Sequence, residues 1–271
     1  MGKPQVSRQA IIDTVGAALA ADPEVLAAWL GGSDATGRTD EYSDVDLQVI
    51  VPDAHVEAVF VTVRQALESL SPIARSYRLP EPAWHGLSQE FFQLAHADPN
   101  HLLDFAVIPA SKPASARLLE RERHGEALVL FDRGGHLAPP PLDWEEHLGK
   151  AAARLATLRS TVPLFAPMVE KAVRRGHLAE AAAFYQAMIL RPLVELLRLR
   201  HCPERYDYGW RYLDRDIPPA DRALIERLVF AADPPALLRG VAEAMRRIEA
   251  EFAALDAGEW RLPSVAERVA R

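Results

Sequence analysis

Two acids one residue apart, Asp44 and Asp46, open an apolar run that continues Leu47-Gln48-Val49-Ile50-Val51. Ten residues lie between Asp44 and the Gly31-Gly32-Ser33 corner that ends an earlier apolar run, Val25 to Leu30. If both runs are strands, side chains alternate in direction, and Asp44 and Asp46 project from one face. Carboxylates held together on a half-buried face repel by on the order of a few kcal/mol at intermediate dielectric. A cation between them removes that cost. Mg²⁺ suits the place, since it takes oxygen ligands and commonly joins one or two protein carboxylates to substrate phosphates. The glycine corner supplies the other half of such a site. Its backbone N–H groups can approach a phosphate closely, the Ser33 hydroxyl adds a donor, and a helix starting there would add its positive end. A two-ion site needs one more carboxylate on a neighbouring strand. Asp104 is the candidate, being the one acid in His101-Leu102-Leu103-Asp104-Phe105-Ala106-Val107-Ile108.

Taken singly, each feature has an ordinary explanation. Gly-Gly-Ser is a common turn, Asp-Val-Asp can be a solvated strand edge or a cap, and Asp104 can sit at an edge. Their order and spacing together favour nucleotide–metal chemistry.

The elements that must position these residues are readable in outline. Residues 7–20 place Ile11, Ile12, Val15, Ala18 and Leu19 on one helical face, and 53–70 returns to helical spacing. Glu90–His96 and Leu102–Pro109 read as two strands around Ala97-Asp98-Pro99-Asn100, and 126–131 as a last strand. Gly134-Gly135-His136-Leu137-Ala138-Pro139-Pro140-Pro141 then interrupts any helix or ladder. Beyond it, 143–172, 177–200, 219–231 and 234–255 are Ala/Leu/Arg-rich with helical period, and Pro192 predicts a kink. The expectation is an α/β domain over 1–138 followed by an all-α helical-bundle domain over 139–271.

Gly32-Ser33, ten residues, then Asp44-Val45-Asp46, each flanked by apolar runs, resembles the signature of the DNA polymerase beta-like nucleotidyltransferase superfamily. The wording Gly37-Arg38-Thr39-Asp40-Glu41-Tyr42-Ser43-Asp44-Val45-Asp46-Leu47 is similar to its bacterial branch that modifies aminoglycoside and lincosamide antibiotics. The motif covers 29–51, and Asp104 extends the resemblance to about 109. In the helical half it is diffuse, resting on Arg175-Gly176-His177-Leu178 and Tyr208-Gly209-Trp210-Arg211-Tyr212-Leu213. The resemblance implies a small mixed sheet flanked by helices, carrying a nucleotidyltransferase site, with a substrate-binding helical domain. It implies transfer of a nucleoside monophosphate, with ATP the expected donor, to a hydroxyl of a small molecule, and release of pyrophosphate. Asp44 and Asp46 would ligate the Mg²⁺ that holds the triphosphate and, with Asp104, a second Mg²⁺ near the acceptor. Gly32 and Ser33 would hold the terminal phosphates. Asp104 would take the acceptor proton or help a metal lower its pKa.

The resemblance implies a helical domain that closes the cleft and lends a basic residue to the triphosphate or an acid to the acceptor. Lys171 and Arg211 are the candidates here, with Glu170, Arg174 and Arg175 beside the first. Solvated helix-end cations and a surface ion pair are the plainer explanations. Trp84, Tyr208 and Trp210 could stack on a ring or simply pack. Arg191 and Glu195, at i,i+4, are expected to pair with each other. The lone Cys202 cannot form an internal disulfide and reads as inert.

Composition limits the function classes. The 271 residues are 49% hydrophobic and 25% charged, which excludes a mostly disordered chain. Net charge is −7, and residues 1–140 hold nineteen Asp/Glu against eleven Lys/Arg, whereas the remainder is nearly balanced. A binder of long nucleic acids needs the opposite surplus, which argues against tRNA or polyadenylate end-synthesis. No signal peptide or membrane span is expected, and a cytoplasmic enzyme is. An alternative is a regulatory partner that nucleotidylates or masks another protein, although minimal antitoxins of that kind are much shorter.

Overall fold

The computed structural model describes residues 6–81, 83 and 85–260. The chain divides into two compact units, Met1–Leu142 and Asp143–Arg271. No helix among the described residues is long and apolar enough to cross a membrane.

The first unit is a mixed sheet with helices. In chain order it holds α1 (Arg8–Ala21), β1 (Ala27–Leu30), α2 (Gly32–Ala35), β2 (Val45–Val51), α3 (Val56–Leu70), β3 (Ile73–Arg78), β4 (Ser88–Leu94), β5 (Leu103–Pro109), α4 (Arg121–His124) and β6 (Leu128–Asp132). Across the sheet the order is β3-β4-β5-β2-β1-β6. β2 and β5 run parallel and the other neighbours antiparallel. Ser7 caps α1 by accepting from the Ala10 amide, as the serine ahead of that apolar stripe suggests. Ile11, Val15 and Leu19 of α1 and Val59, Val63 and Leu67 of α3 pack on Leu47, Val49, Phe105 and Val107. The period-2 pattern therefore buries one face of β2 and β5 under both helices.

The opposite face is divided along its length. At one end Ala27, Trp29, Ile50 and Ile108 form a small apolar cluster with Leu87 and Leu119. At the other end the same face of the same strands carries Asp46, Gln48 and Asp104. β3 is a strand that the alternation did not predict. It lies at the sheet edge with its central residues exposed, so no buried stripe marks it.

The second unit is helical: α5 (Trp144–Phe165), α6 (Pro167–Arg174), α7 (Leu178–Tyr185), α8 (Arg191–His201), α9 (Leu213–Asp216), α10 (Pro219–Val229) and α11 (Pro234–Asp256). The expected helix over 143–172 is two, because Pro167 has no N–H to continue a ladder and instead opens α6. Pro192 has a comparable effect: a π-helical turn over Gln186–Leu190 joins α7 to α8, and Pro192 lies in the first turn of α8. Tyr185, Ile189, Leu193, Leu197 and Ile248 are fully or almost fully buried in this unit's own core.

Candidate active site

β1 ends at Leu30, which pairs with Leu47, so Gly31 falls opposite Asp46 and its N–H donates to the Asp46 carbonyl at 2.9 Å. On the other side of β2, Asp46 is in register with Asp104 of β5. Adjacent strands lie about 4.8 Å apart, which sets these two carboxylates side by side on the open face. Asp104 in turn pairs with Phe91 of β4. The glycine corner and two of the three acids thus form one row across β1, β2 and β5.

Gly32 has φ +52°, and a Cβ built on it would stand 1.7 Å from Asp46 Oδ2. Only glycine lets the corner close against that carboxylate. The helix expected after the corner is a single turn, Gly32–Ala35, too short to carry a useful dipole. Ser33 is nevertheless in place, and its buried Oγ has no hydrogen-bond partner. Gln48 Oε1, two residues along β2 from Asp46, is likewise buried and unpartnered. Orphaned polar atoms of this kind are rare and suit an absent polar ligand.

Asp44, just before β2, acts electrostatically on both Asp46 and Asp104. All three carboxyls are pushed up. For Asp46 the value reaches about 7, chiefly through burial, then through repulsion from Asp44, Asp104 and Asp34, with Arg8 opposing. Burial also dominates at Asp44 and Asp104. Burial and mutual repulsion both disfavour the charged form, which is why all three shift in this direction.

Arg8, in the first turn of α1, was not apparent as a site residue. Its Nε donates to the Asp44 carbonyl at 2.8 Å, and its guanidinium pairs with Asp34 of α2. It ties together α1, the glycine corner and the start of β2 from 36 residues upstream of Asp44. Gln89 and His85 were also missed. Gln89 Nε2 donates to Asp104 Oδ1, and His85 Nε2 lies 2.8 Å from Gln89 Oε1. No sequence spacing announces the Gln89–Asp104 contact, because the pairing of β4 with β5 creates it, and His85 reaches Gln89 from the turn just before β4.

No group of three His, Cys, Asp or Glu side chains among the described residues is arranged to hold a metal by itself. The donor set still fits Mg²⁺ in its usual mode, one or two carboxylates completed by substrate phosphates rather than an all-protein cage. Asp44 and Asp46 provide the hard oxygens, and the orphaned Ser33 hydroxyl is near at hand for a phosphate.

Lys171 and Arg211 belong to the helical unit. Lys171 is exposed on α6, one residue from the Glu170–Arg174 pair at 2.5 Å. Arg211 lies over Tyr208 and Tyr212, 5.0 and 5.9 Å from the ring centroids. Buried Arg198 holds that segment by donating to the carbonyls of Gly209 and Arg211 and pairing with Asp216 at 2.8 Å. Arg191 pairs with Glu195 at 3.2 Å. Burial pushes the Cys202 thiol up to about 12, which leaves it unreactive. Trp84 lies outside the described residues.

No protein-family model and no curated protein matches the chain. Two solved structures align with most of it at low identity. One is an aminoglycoside 6-adenyltransferase from Bacillus subtilis, 11% identical with a TM-score of 0.43 over 97% of this chain and 94% of that one. The other is a nucleotidyltransferase-like protein from Exiguobacterium sibiricum, 14% identical with a TM-score of 0.37 over 96% and 83%.

Proposed function

We propose that this chain is a Mg²⁺-dependent nucleotidyltransferase that moves AMP from ATP to a hydroxyl of a small molecule, an aminoglycoside or lincosamide antibiotic among the candidates. The observation that carries the reading is the row across the sheet. Asp46 and Asp104 stand in register on adjacent parallel strands, and a glycine corner is closed against Asp46 with an unpartnered serine hydroxyl beside it.

In this reading the acceptor oxygen attacks the α-phosphorus, the bond from that phosphorus to the bridging oxygen breaks, and pyrophosphate leaves. Such transfers depend on positioning and on charge neutralisation. Gly32 and Ser33 hold the terminal phosphates, and Asp44 and Asp46 are the protein ligands of the magnesium. When bound, the ion neutralises charge on the triphosphate and orients it. Asp104 receives the acceptor proton, and a second ion would be held from the same position. Lys171 and Arg211 are proposed as contacts to the triphosphate from the helical unit.

The test is mass spectrometry after incubating the protein with four nucleoside triphosphates, Mg²⁺ and a pool of aminoglycosides, lincosamides and simple polyols. An acceptor gaining the mass of one nucleoside monophosphate less one water identifies donor and acceptor together. Asp46→Ala is expected to remain folded and to lose transfer by more than about 1,000-fold. Undiminished turnover by that variant would defeat the assignment.

A further inference from the structure

Asp104 is held by a chain of hydrogen bonds with only one possible polarity. The Leu87 amide donates to His85 Nδ1 at 3.0 Å. A backbone N–H cannot accept, so Nδ1 is the unprotonated nitrogen of a neutral ring and Nε2 carries the hydrogen. His85 Nε2 therefore donates to Gln89 Oε1 at 2.8 Å. With its oxygen so used, the Gln89 amide turns its Nε2 to Asp104 Oδ1. That orientation, ordinarily ambiguous for a glutamine, is set here by a main-chain group two bonds away in the network.

β4 and β5 supply the geometry. Gln89 pairs with Ala106, two residues along β5 from Asp104, so its side chain emerges on the same face and reaches the carboxylate diagonally. One oxygen of Asp104 is thereby committed to the sheet side of the site, and Oδ2 is left for the reacting groups.

We propose that Gln89, oriented by His85, is a positioning residue that fixes the rotation of the Asp104 carboxylate and keeps Oδ2 toward the acceptor hydroxyl. The proposal rests on the nucleotidyl-transfer reading. In the step itself the acceptor O–H bond breaks as the oxygen–phosphorus bond forms. The proton goes to Asp104 Oδ2, the bond from the α-phosphorus to the bridging oxygen breaks, and its electron pair leaves with pyrophosphate. Gln89 touches none of the reacting atoms. Without its donor the carboxylate turns freely, and fewer encounters present an aligned base.

The role separates from a merely structural one in three measurements on the full chain. With ATP, Mg²⁺ and the pooled acceptors, Gln89→Leu is expected to lower kcat about 10- to 100-fold. Its KM for ATP and its Kd for Mg²⁺ with α,β-methylene ATP should stay within about threefold of wild type. Because the proposal routes the positioning effect of His85 through Gln89, the double variant His85→Ala/Gln89→Leu should be no slower than Gln89→Leu alone. Nitrogen-15 NMR of the free wild-type protein should find His85 in the Nε2–H form, which keeps the proposal testable even if Gln89→Leu fails to fold. An unchanged kcat in Gln89→Leu, multiplying effects in the double variant, or an Nδ1–H ring at His85 would each overturn the proposal while wild-type transfer persists. A wild-type protein that transfers nothing to any acceptor overturns the underlying reading instead, and the proposal with it.

Discussion

Burial and the three carboxylates of Asp44, Asp104 and Asp34 lift Asp46 to about 7, against 3.8 for a solvated aspartate. A carboxyl whose folded value is raised favours folding while it is protonated. That contribution is fully present below the unfolded value near 4 and is lost as pH rises through about 7. Without divalent ions, Asp46→Asn should therefore match wild-type stability near pH 4. Near pH 8 it should exceed it by about 1–3 kcal/mol, since the amide keeps the shape and removes the buried charge. Urea denaturation at the two pH values checks this, and equal stability at pH 8 would sink it. An ion held by Asp44 and Asp46 as proposed would also offset this repulsion. At this scale Gly32, Ser33, Asp44 and Asp46 stand out in the sequence through short local spacing and Asp104 as the one acid in an apolar run, and the structure brings the glycine corner, Asp46 and Asp104 into one row. Arg8 and Gln89 do not stand out, because helix docking and strand pairing create their contacts, and His85 has meaning only once Gln89 is placed beside Asp104.

Among the elements, the corner between β1 and β2 has the least latitude. Gly32 and Gly37 both have positive φ, +52° and +63°, yet a Cβ at Gly37 meets nothing within 4 Å, whereas one at Gly32 meets the Asp46 carboxylate. Gly37→Ala should cost only backbone strain, about 1 kcal/mol, and keep its transfer activity. Gly32→Ala should cost about 1–3 kcal/mol and reduce transfer more than about 100-fold, because Asp46 must move. Thermal melts and the transfer assay compare the two directly. Indistinguishable variants would show that Asp46 does not need the close approach. The same elements show how far periodicity reaches. β2 and β5 were legible because one face is continuously apolar, with the acids standing on the other. β3 was not, since its exposed residues at the sheet edge carry no stripe, and its presence follows from β4 having a free edge to pair. Helical period located α5–α8 as two long stretches, and the prolines within them decided how each is interrupted.

Over the whole molecule, charge bears on which acceptors the protein can use. The acidic surplus resides in the first half, where acids surround the candidate site. Among the described residues, many arginines of the helical unit are committed within it. Arg198 pairs with Asp216, Arg154 with Glu195, Arg159 with Asp256, Arg200 with Glu251, and Arg227 with Glu243. Binding a polynucleotide draws its affinity from cations that displace counter-ions at several phosphates. A single triphosphate bound as proposed would escape that requirement, because magnesium commonly neutralises the phosphates it joins to protein carboxylates. The protein should therefore show no binding to a labelled 20-base-pair duplex or to bulk tRNA at 50 mM salt and about 10 μM protein, a regime in which non-specific binders are readily detected. Fluorescence anisotropy across a salt series checks this. A binding constant that falls steeply with salt would reveal clustered phosphate contacts, and would restore a polynucleotide 3′ end as the acceptor in place of a small hydroxylated molecule.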